Sequence, residues 1–75
     1  MIQQGQVYKN KRNNKEYYRV VGIDDHHNVD TRMFAFEDET EHVKEKRVVI
    51  YMPYFEEAFV ERSEEELAMK LLSRM

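Results

Sequence analysis

The sequence contains no cysteine and no tryptophan, and it has only two glycines and one proline among its 75 residues. Without cysteine, neither a disulfide framework nor a thiolate metal site can hold so small a chain together. With two glycines, a glycine-rich phosphate loop is excluded. The chain also lacks the apolar run of a signal peptide and the roughly 18 apolar residues of a membrane span, which predicts a cytoplasmic protein that does not contact a membrane.

Apolar residues make up 41% of the chain, and they include five tyrosines and four phenylalanines. Aromatic side chains bury large areas from few positions, so a core is feasible. A chain of this length buries only about 60% of the surface of its unfolded form, which leaves little room for a deep substrate cavity. We predict one domain over residues 1–75, with a β-rich body over about 5–61 and a helix over about 64–74.

Four segments have the composition and the period-two alternation of β-strands, which favour valine and aromatic residues. The predicted strands are residues 5–9, 16–23, 29–37 and 47–52. The first two form a hairpin around the turn at Asn13 and Asn14, and Gly22 suits a bulge. In the third strand, alternation places two sets of side chains on opposite faces, with Arg32, Phe34 and Phe36 on one and Val29, Met33 and Ala35 on the other.

The charged segment at residues 37–46 is predicted to form a turn, and Pro53 ends the fourth strand because proline cannot donate to a sheet ladder. Residues 53–61 are compatible with helix or strand, and we favour one helical turn leading into a strand at 58–61. Ser63 then begins the final helix, because Ser63 and Glu66 have the spacing of a capping box. Leu67 and Leu71 belong to its apolar stripe.

This order of elements resembles a small SH3-like barrel, which closes its sheet to limit exposed edges. The predicted fold class is therefore mainly β, within α+β, as an antiparallel barrel of four to five strands with a C-terminal amphipathic helix.

Residues 5–23 also resemble the opening of a family of small bacterial and phage domains of unknown function, which begin with Gly-x-Tyr and continue with Tyr-x-Val-x-Gly. The matching positions are Gly5, Tyr8, Tyr18, Val20 and Gly22, with the first pair spaced one residue wider than in the family. Residues 52–59 resemble the family's strand, proline and phenylalanine, although Met52 stands where an arginine usually precedes the proline. The resemblance implies a small barrel without catalytic residues.

Acids and histidines cluster only at Asp24, Asp25, His26 and His27. Neighbouring residues of a strand point to opposite faces, so the two histidines are poorly placed to share a metal ion, and we interpret the segment as a polar turn. General acid catalysis needs a carboxyl group in an apolar environment, whereas the many glutamates here are expected to be solvated. We predict no catalytic residue, no metal and no cofactor, and hence a protein that is not an enzyme.

The charge distribution suggests two binding functions from different classes. Residues 1–19 hold five of the twelve bases and one of the fifteen acids. The favoured hypothesis is a protein-interaction module whose acidic residues steer it to a basic partner. One concrete form is a phage or mobile-element protein that binds and modulates a host nucleic-acid enzyme or defence factor. The predicted partner-binding residues are Glu37, Asp38, Glu39, Glu41, Glu56, Glu57, Glu64 and Glu65.

The alternative is a nucleic-acid-binding small barrel, because the first hairpin holds both basic and aromatic residues, which could grip phosphates and stack on nucleic-acid bases. Its predicted residues are Tyr8, Lys9, Lys11, Arg12, Lys15, Tyr17 and Arg19. A homodimer is the third hypothesis, because small domains often gain stability by association. It would use strand edges or the apolar residues Met33, Phe34, Met52 and Met69.

Overall fold

The computed structural model describes residues 1–36 and 43–73, so predictions that fall on residues 37–42 and 74–75 lie outside the described residues. The described chain forms five strands and two helices. In chain order these are β1 (Val7–Asn10), β2 (Glu16–Ile23), β3 (Asn28–Ala35), β4 (Lys44–Tyr51), α1 (Met52–Ala58), β5 (Phe59–Arg62) and α2 (Glu64–Leu72).

All five strands belong to one antiparallel sheet in the order β4-β3-β2-β1-β5. The first four strands follow one another as a meander, and β5 returns to pair with β1 on the far side. The mainly β, α+β class with a helix after the last strand is confirmed. The sheet is open, because β4 and β5 are its two edges and no ladder joins them within the described residues. Closure into an SH3-like barrel stays a prediction.

Each face of the sheet is covered by one helix. On the first face, β2 and β3 contribute Tyr18, Val20, Val29 and Met33 to a cluster that α1 completes with Phe55. On the second face, Tyr17 and Phe34 lie in a cluster that α2 completes with Leu67. This division follows the alternation of strand side chains. It confirms that Phe34 and Met33 point to opposite faces.

The first hairpin agrees closely with the sequence prediction. β2 spans the predicted residues 16–23, and it pairs antiparallel with β1. The register between β2 and β3 shifts between Val20 and Gly22, which confirms the predicted bulge. β1 begins two residues later than predicted, because Gly5 has a φ of 91° and lies in a turn rather than in extended backbone.

β4 begins earlier than predicted, and the assignment of residues 44–46 to a turn was wrong. Lys44, Glu45 and Lys46 pair with Ala35, Phe34 and Met33 of β3. β4 is an edge strand, and its residues 44–47 are exposed, so charged side chains are compatible with strand structure here.

The segment after β4 forms more helix than the single turn predicted. α1 has seven residues, with Pro53 at its first turn, where a missing backbone donor is tolerated. Its one buried residue is Phe55, which stacks on Phe59 of β5 with ring centroids 4.5 Å apart and meets Tyr8 edge-on at 4.8 Å. A strand does follow as predicted, one residue later.

The N-terminus of α2 confirms the predicted cap at Ser63, whose hydroxyl oxygen accepts a hydrogen bond from the Glu66 amide at 3.1 Å. The second hydrogen bond of a capping box, from the Ser63 amide to the Glu66 carboxylate, is not formed. The Glu66 carboxylate accepts a hydrogen bond from the Tyr17 hydroxyl instead of from the Ser63 amide. Glu66 therefore joins the helix to the sheet rather than to its own first turn.

Candidate functional site

The tyrosines of the first hairpin lie in the core. Tyr17 is 1% exposed beneath α2, and Tyr18 is 6% exposed, with its ring edge-on to Phe59 at 4.7 Å. Tyr8 is half-buried against Phe55 on the face opposite Tyr17. The rings of Tyr17 and Tyr18 are enclosed by protein, so in this structure these two do not offer a surface on which a base could stack.

Burial also determines the ionisation of these tyrosines. Burial, followed by the hydrogen bond to Glu66 and the charge of that carboxylate, raises the pKa of Tyr17 to about 12. The pKa of Tyr18 is raised by burial first and then by the charge of Glu16 and the hydrogen bond to it. Both hydroxyls therefore stay protonated at neutral pH and donate to carboxylates.

The predicted basic residues are divided between the sheet and the turn. Lys9 places its Nζ 5.6 Å from the centre of the Tyr17 ring, a cation–π contact on the second face. Arg19 lies over the Phe34 ring and is paired with Glu64. Lys11, Arg12 and Lys15 lie in or beside the exposed turn between β1 and β2. The seven predicted residues thus lie on both faces of the sheet and at one end of it.

Arginines form a row across the second face, because the strand registers align one arginine from each of four strands. The row consists of Arg62, Arg19, Arg32 and Arg47. Each is paired with a carboxylate, and the acids are, in the same order, Glu66, Glu64, Glu45 and Asp30. The row contributes little net charge to the surface, since every guanidinium has an acid beside it.

Most acids in the last third of the chain, unlike those beside the arginine row, are not paired with a base in the described part of the chain. Glu56 and Glu57 are exposed on α1, Glu61 is exposed on β5, and Glu64 and Glu65 are exposed in the first turn of α2. We call these five residues the acidic edge, since β5 is an edge strand and the two helices adjoin its ends. Of the five, only Glu64 has an ion pair with a base in the described part of the chain. The edge therefore carries uncompensated negative charge.

The four other acids predicted to bind a partner, Glu37, Asp38, Glu39 and Glu41, lie outside the described residues. Residues 52–73 as a whole hold six acids and two bases. The acidic edge also includes Glu61, which the sequence prediction did not select as a site residue. Its place between the two helices follows from the pairing of β5 with β1, a contact between distant parts of the chain.

The turn between β2 and β3 is organised by Asp24. Its carboxylate accepts hydrogen bonds from the amides of His26 at 2.8 Å and Asn28 at 3.0 Å. The bond from the Asn28 backbone is the first cause that lowers the pKa of Asp24. His27 occupies a left-handed conformation with φ 61°. Among residues 1–36 and 43–73, no group of three or more histidine, cysteine or acidic side chains is placed to hold a metal ion.

A cleft of about 350 Å³ lies between the basic turn and α1. Its lining consists of Asn10, Lys11, Arg12, Tyr54, Glu57 and Ala58. The Lys11 Nζ donates to the Glu57 carbonyl at 2.8 Å, and the Lys11 amide donates to the Ala58 carbonyl at 2.9 Å. Sequence reasoning missed Tyr54, since no local pattern places a residue of α1 beside a turn more than forty positions earlier.

The apolar residues predicted for self-association have mixed positions. Met33 and Phe34 are buried within the chain, Met52 is half-buried and Met69 is exposed. The homodimer stays a prediction. Neither helix in the described ranges is long and apolar enough to cross a membrane.

The described chain is a small α+β protein with an open five-stranded antiparallel sheet and one helix on each face. Comparison with known proteins finds no match to a family model, to a curated protein or to a solved structure.

Proposed function

We propose that the chain is a non-catalytic protein-interaction domain whose acidic edge meets a basic surface on a partner protein. The observation that carries this proposal is the contrast between the two sets of charges. The arginines of the sheet are neutralised one by one, whereas Glu56, Glu57, Glu61 and Glu65 have no ion pair within the described residues. Uncompensated charge of one sign steers association with a surface of the opposite sign.

Steering alone does not hold a complex, because interfaces depend on a few buried apolar or aromatic anchors. Exposed apolar side chains occur on the same elements, with Val60 on β5 and Met69 and Leu72 on α2. Among the described residues, strand β5 pairs with β1 alone, so its outer backbone edge faces away from the sheet. The strand and the helix that carry part of the acidic edge therefore also present apolar side chains, and interfaces combine apolar residues with a polar rim.

A narrower form of the proposal is a cytoplasmic phage or mobile-element protein that inhibits or modulates a host nucleic-acid enzyme or defence factor. Acidic side chains would then occupy a basic surface that otherwise holds phosphates. The resemblance at residues 5–23 and the net charge of −3 support it. We also propose that the open sheet is a variant of the SH3-like barrel, since five antiparallel strands with a helix between the fourth and the fifth agree with that resemblance.

Two variants with equal charge change test the proposal. The edge variant carries E56Q, E57Q, E61Q and E65Q, and the control variant carries E37Q, D38N, E39Q and E41Q. Wild type and both variants are immobilised, proteins retained from a bacterial lysate are quantified, and the affinity of the most enriched partner is then measured with purified protein. We expect the edge variant to lose that partner and the control variant to keep it. Equal retention by wild type and edge variant, or equal loss in both variants, contradicts the proposal.

A further inference from the structure

The cleft beside the basic turn shares Glu57 with the acidic edge, but it also contains positive charge and an aromatic ring. It is formed by the end of β1 and the following turn on one side, and by α1 on the other. The Lys11 bonds to the carbonyls of Glu57 and Ala58 fix these two walls against each other. One of these two bonds is donated by the Lys11 side chain and the other by its backbone amide, so the cleft depends on long-range contacts of both kinds.

Tyr54 supplies an aromatic surface to this cleft. Its side chain is 59% exposed, unlike the buried tyrosines of β2. Its ring meets Phe59 edge-on with centroids 6.5 Å apart, so the ring is supported by the core while most of its surface faces solvent. An exposed, supported aromatic ring is the kind of platform on which a nucleic-acid base stacks.

Lys11 and Arg12 supply positive charge in the same cleft. The Lys11 ammonium uses one donor on the Glu57 carbonyl, and an ammonium has three. The backbone amide of Arg12 is bonded to the Asn10 side chain at 2.9 Å, which orders the turn while leaving the guanidinium for a ligand. In the described part of the chain neither side chain has an ion pair with a carboxylate.

We propose that this cleft binds one nucleotide unit, with the base against the Tyr54 ring and the phosphate against Lys11 and Arg12. Glu57 also lines the cleft, and its negative charge repels the phosphate and so keeps it beside Lys11 and Arg12. Its carboxylate is an acceptor for the exocyclic amino group of cytosine or adenine. The volume of about 350 Å³ falls within the range of small-ligand sites. The unit belongs either to a free nucleotide or to a single strand.

The test measures binding to the full chain by fluorescence anisotropy and by NMR titration. The probes are a single-stranded oligocytidylate of about twelve nucleotides, its duplex, CMP and inorganic phosphate, each at about 50 mM and about 200 mM salt. The variants are Tyr54→Ala, Tyr54→Phe, the pair K11Q and R12Q, and the pair K46Q and K70Q. The last pair removes the same charge from exposed positions on β4 and α2, and circular dichroism checks that each variant is folded.

We expect Tyr54→Ala to weaken binding of the single strand about tenfold and Tyr54→Phe to restore it, because the ring provides the stacking surface. The K11Q and R12Q pair is expected to weaken binding and to reduce the slope of log affinity against log salt by about 0.7 for each lost phosphate contact. The K46Q and K70Q pair is expected to leave the affinity and its salt dependence unchanged.

CMP binding as tightly as the oligonucleotide identifies a free nucleotide as the ligand, and tighter binding of the oligonucleotide identifies a single strand. Either result supports the site if Tyr54→Ala weakens binding of the ligand that it identifies. Absence of binding, equal binding by wild type and Tyr54→Ala, or an equal effect of the K11Q and R12Q pair and the K46Q and K70Q pair overturns the proposal. None of these results depends on a protein partner for the acidic edge.

Discussion

The hydroxyl of Tyr17 donates a hydrogen bond to the carboxylate of Glu66, with the two oxygens 2.5 Å apart. This bond joins the second strand to the last helix across 49 positions of sequence. The next residue of that helix, Leu67, is fully buried on the same face of the sheet. A helix of nine residues is marginal on its own in water, so its stability comes from this docking. Tyr17 is therefore a structural residue of the interface between sheet and helix.

Replacing Tyr17 by phenylalanine removes this hydrogen bond and keeps the buried ring. A hydrogen bond to a charged group contributes about 1.5–3 kcal/mol, so we expect the free energy of unfolding to fall by about that amount. Urea unfolding followed by circular dichroism measures it. Tyr51→Phe is the matched control, since Tyr51 is 58% exposed, and it is expected to be neutral. Equal stability of wild type and Tyr17→Phe would show that the bond contributes nothing net.

Alkaline pH is expected to weaken the fold through the same residue. Tyrosine ordinarily ionises near pH 10, whereas burial and then Glu66 raise the pKa of Tyr17 to about 12. The folded state favours the protonated hydroxyl, so the stabilisation is fully present below about pH 10 and is lost as the pH rises through about 12. Urea unfolding between pH 8 and about pH 12 is expected to show this decline.

The Tyr17→Phe variant is the control for the pH dependence. It is expected to decline less steeply than wild type over the same interval. It keeps part of the decline, because burial also raises the pKa of Tyr8 and of Tyr18. Identical pH profiles for the two proteins would contradict the assignment to Tyr17.

Local patterns were sufficient where the deciding forces are local. The bounds of β2 follow from its tyrosines and valines, and the bulge follows from Gly22. The cap at Ser63 follows from its position before three glutamates. In each case a turn, a propensity or a cap within a few residues determines the structure.

Contacts between distant segments could not be predicted from such local patterns. Lys44 and Lys46 lie in a strand because β3 is available to pair with them, and charge alone predicted a turn. The tyrosines of the first hairpin share a basic sequence neighbourhood, but β2 turns Tyr17 towards α2 and Tyr18 towards α1. Tyr54 lies beside the basic turn because the side chain and the backbone amide of Lys11 both bond to α1. Candidate sites in this chain depend on such pairings, which no local pattern encodes.

The two glycines provide a matched pair of alanine substitutions. A Cβ at either Gly5 or Gly22 would meet no atom within 4 Å, so neither substitution creates a clash. Gly5 has a φ of 91°, a conformation that side chains other than glycine rarely adopt, and Gly22 does not have a positive φ. We expect Gly5→Ala to destabilise by about 1–2 kcal/mol and Gly22→Ala to be neutral or slightly stabilising. Thermal unfolding measures both, and equal effects would contradict the assignment of strain to Gly5.

Phe55 and Tyr54 are neighbours in α1 with opposite environments, so they test the core directly. Phe55 is fully buried between Phe59 and Tyr8. Phe55→Ala is expected to cost about 3–5 kcal/mol, a large share of the stability of a chain this small, and to leave much of it unfolded. Phe55→Leu is expected to cost less, and Tyr54→Ala little. A cooperative transition at the wild-type midpoint for Phe55→Ala would show that α1 does not seal the first face.

The cap of α2 gives the last prediction. The Ser63 hydroxyl oxygen accepts from the Glu66 amide at 3.1 Å, and loss of such an N-cap costs about 1 kcal/mol. Ser63→Ala is therefore expected to lower the urea midpoint, whereas Ser63→Asp keeps an acceptor at the same position and is expected to stay close to wild type. The effect is expected to be transmitted to the sheet, because the capped residue Glu66 is the one that binds Tyr17. Hydrogen exchange measures this transmission, because faster exchange at the amides of β2 as well as of α2 supports it. Fraying of the helix end would accelerate exchange in α2 alone.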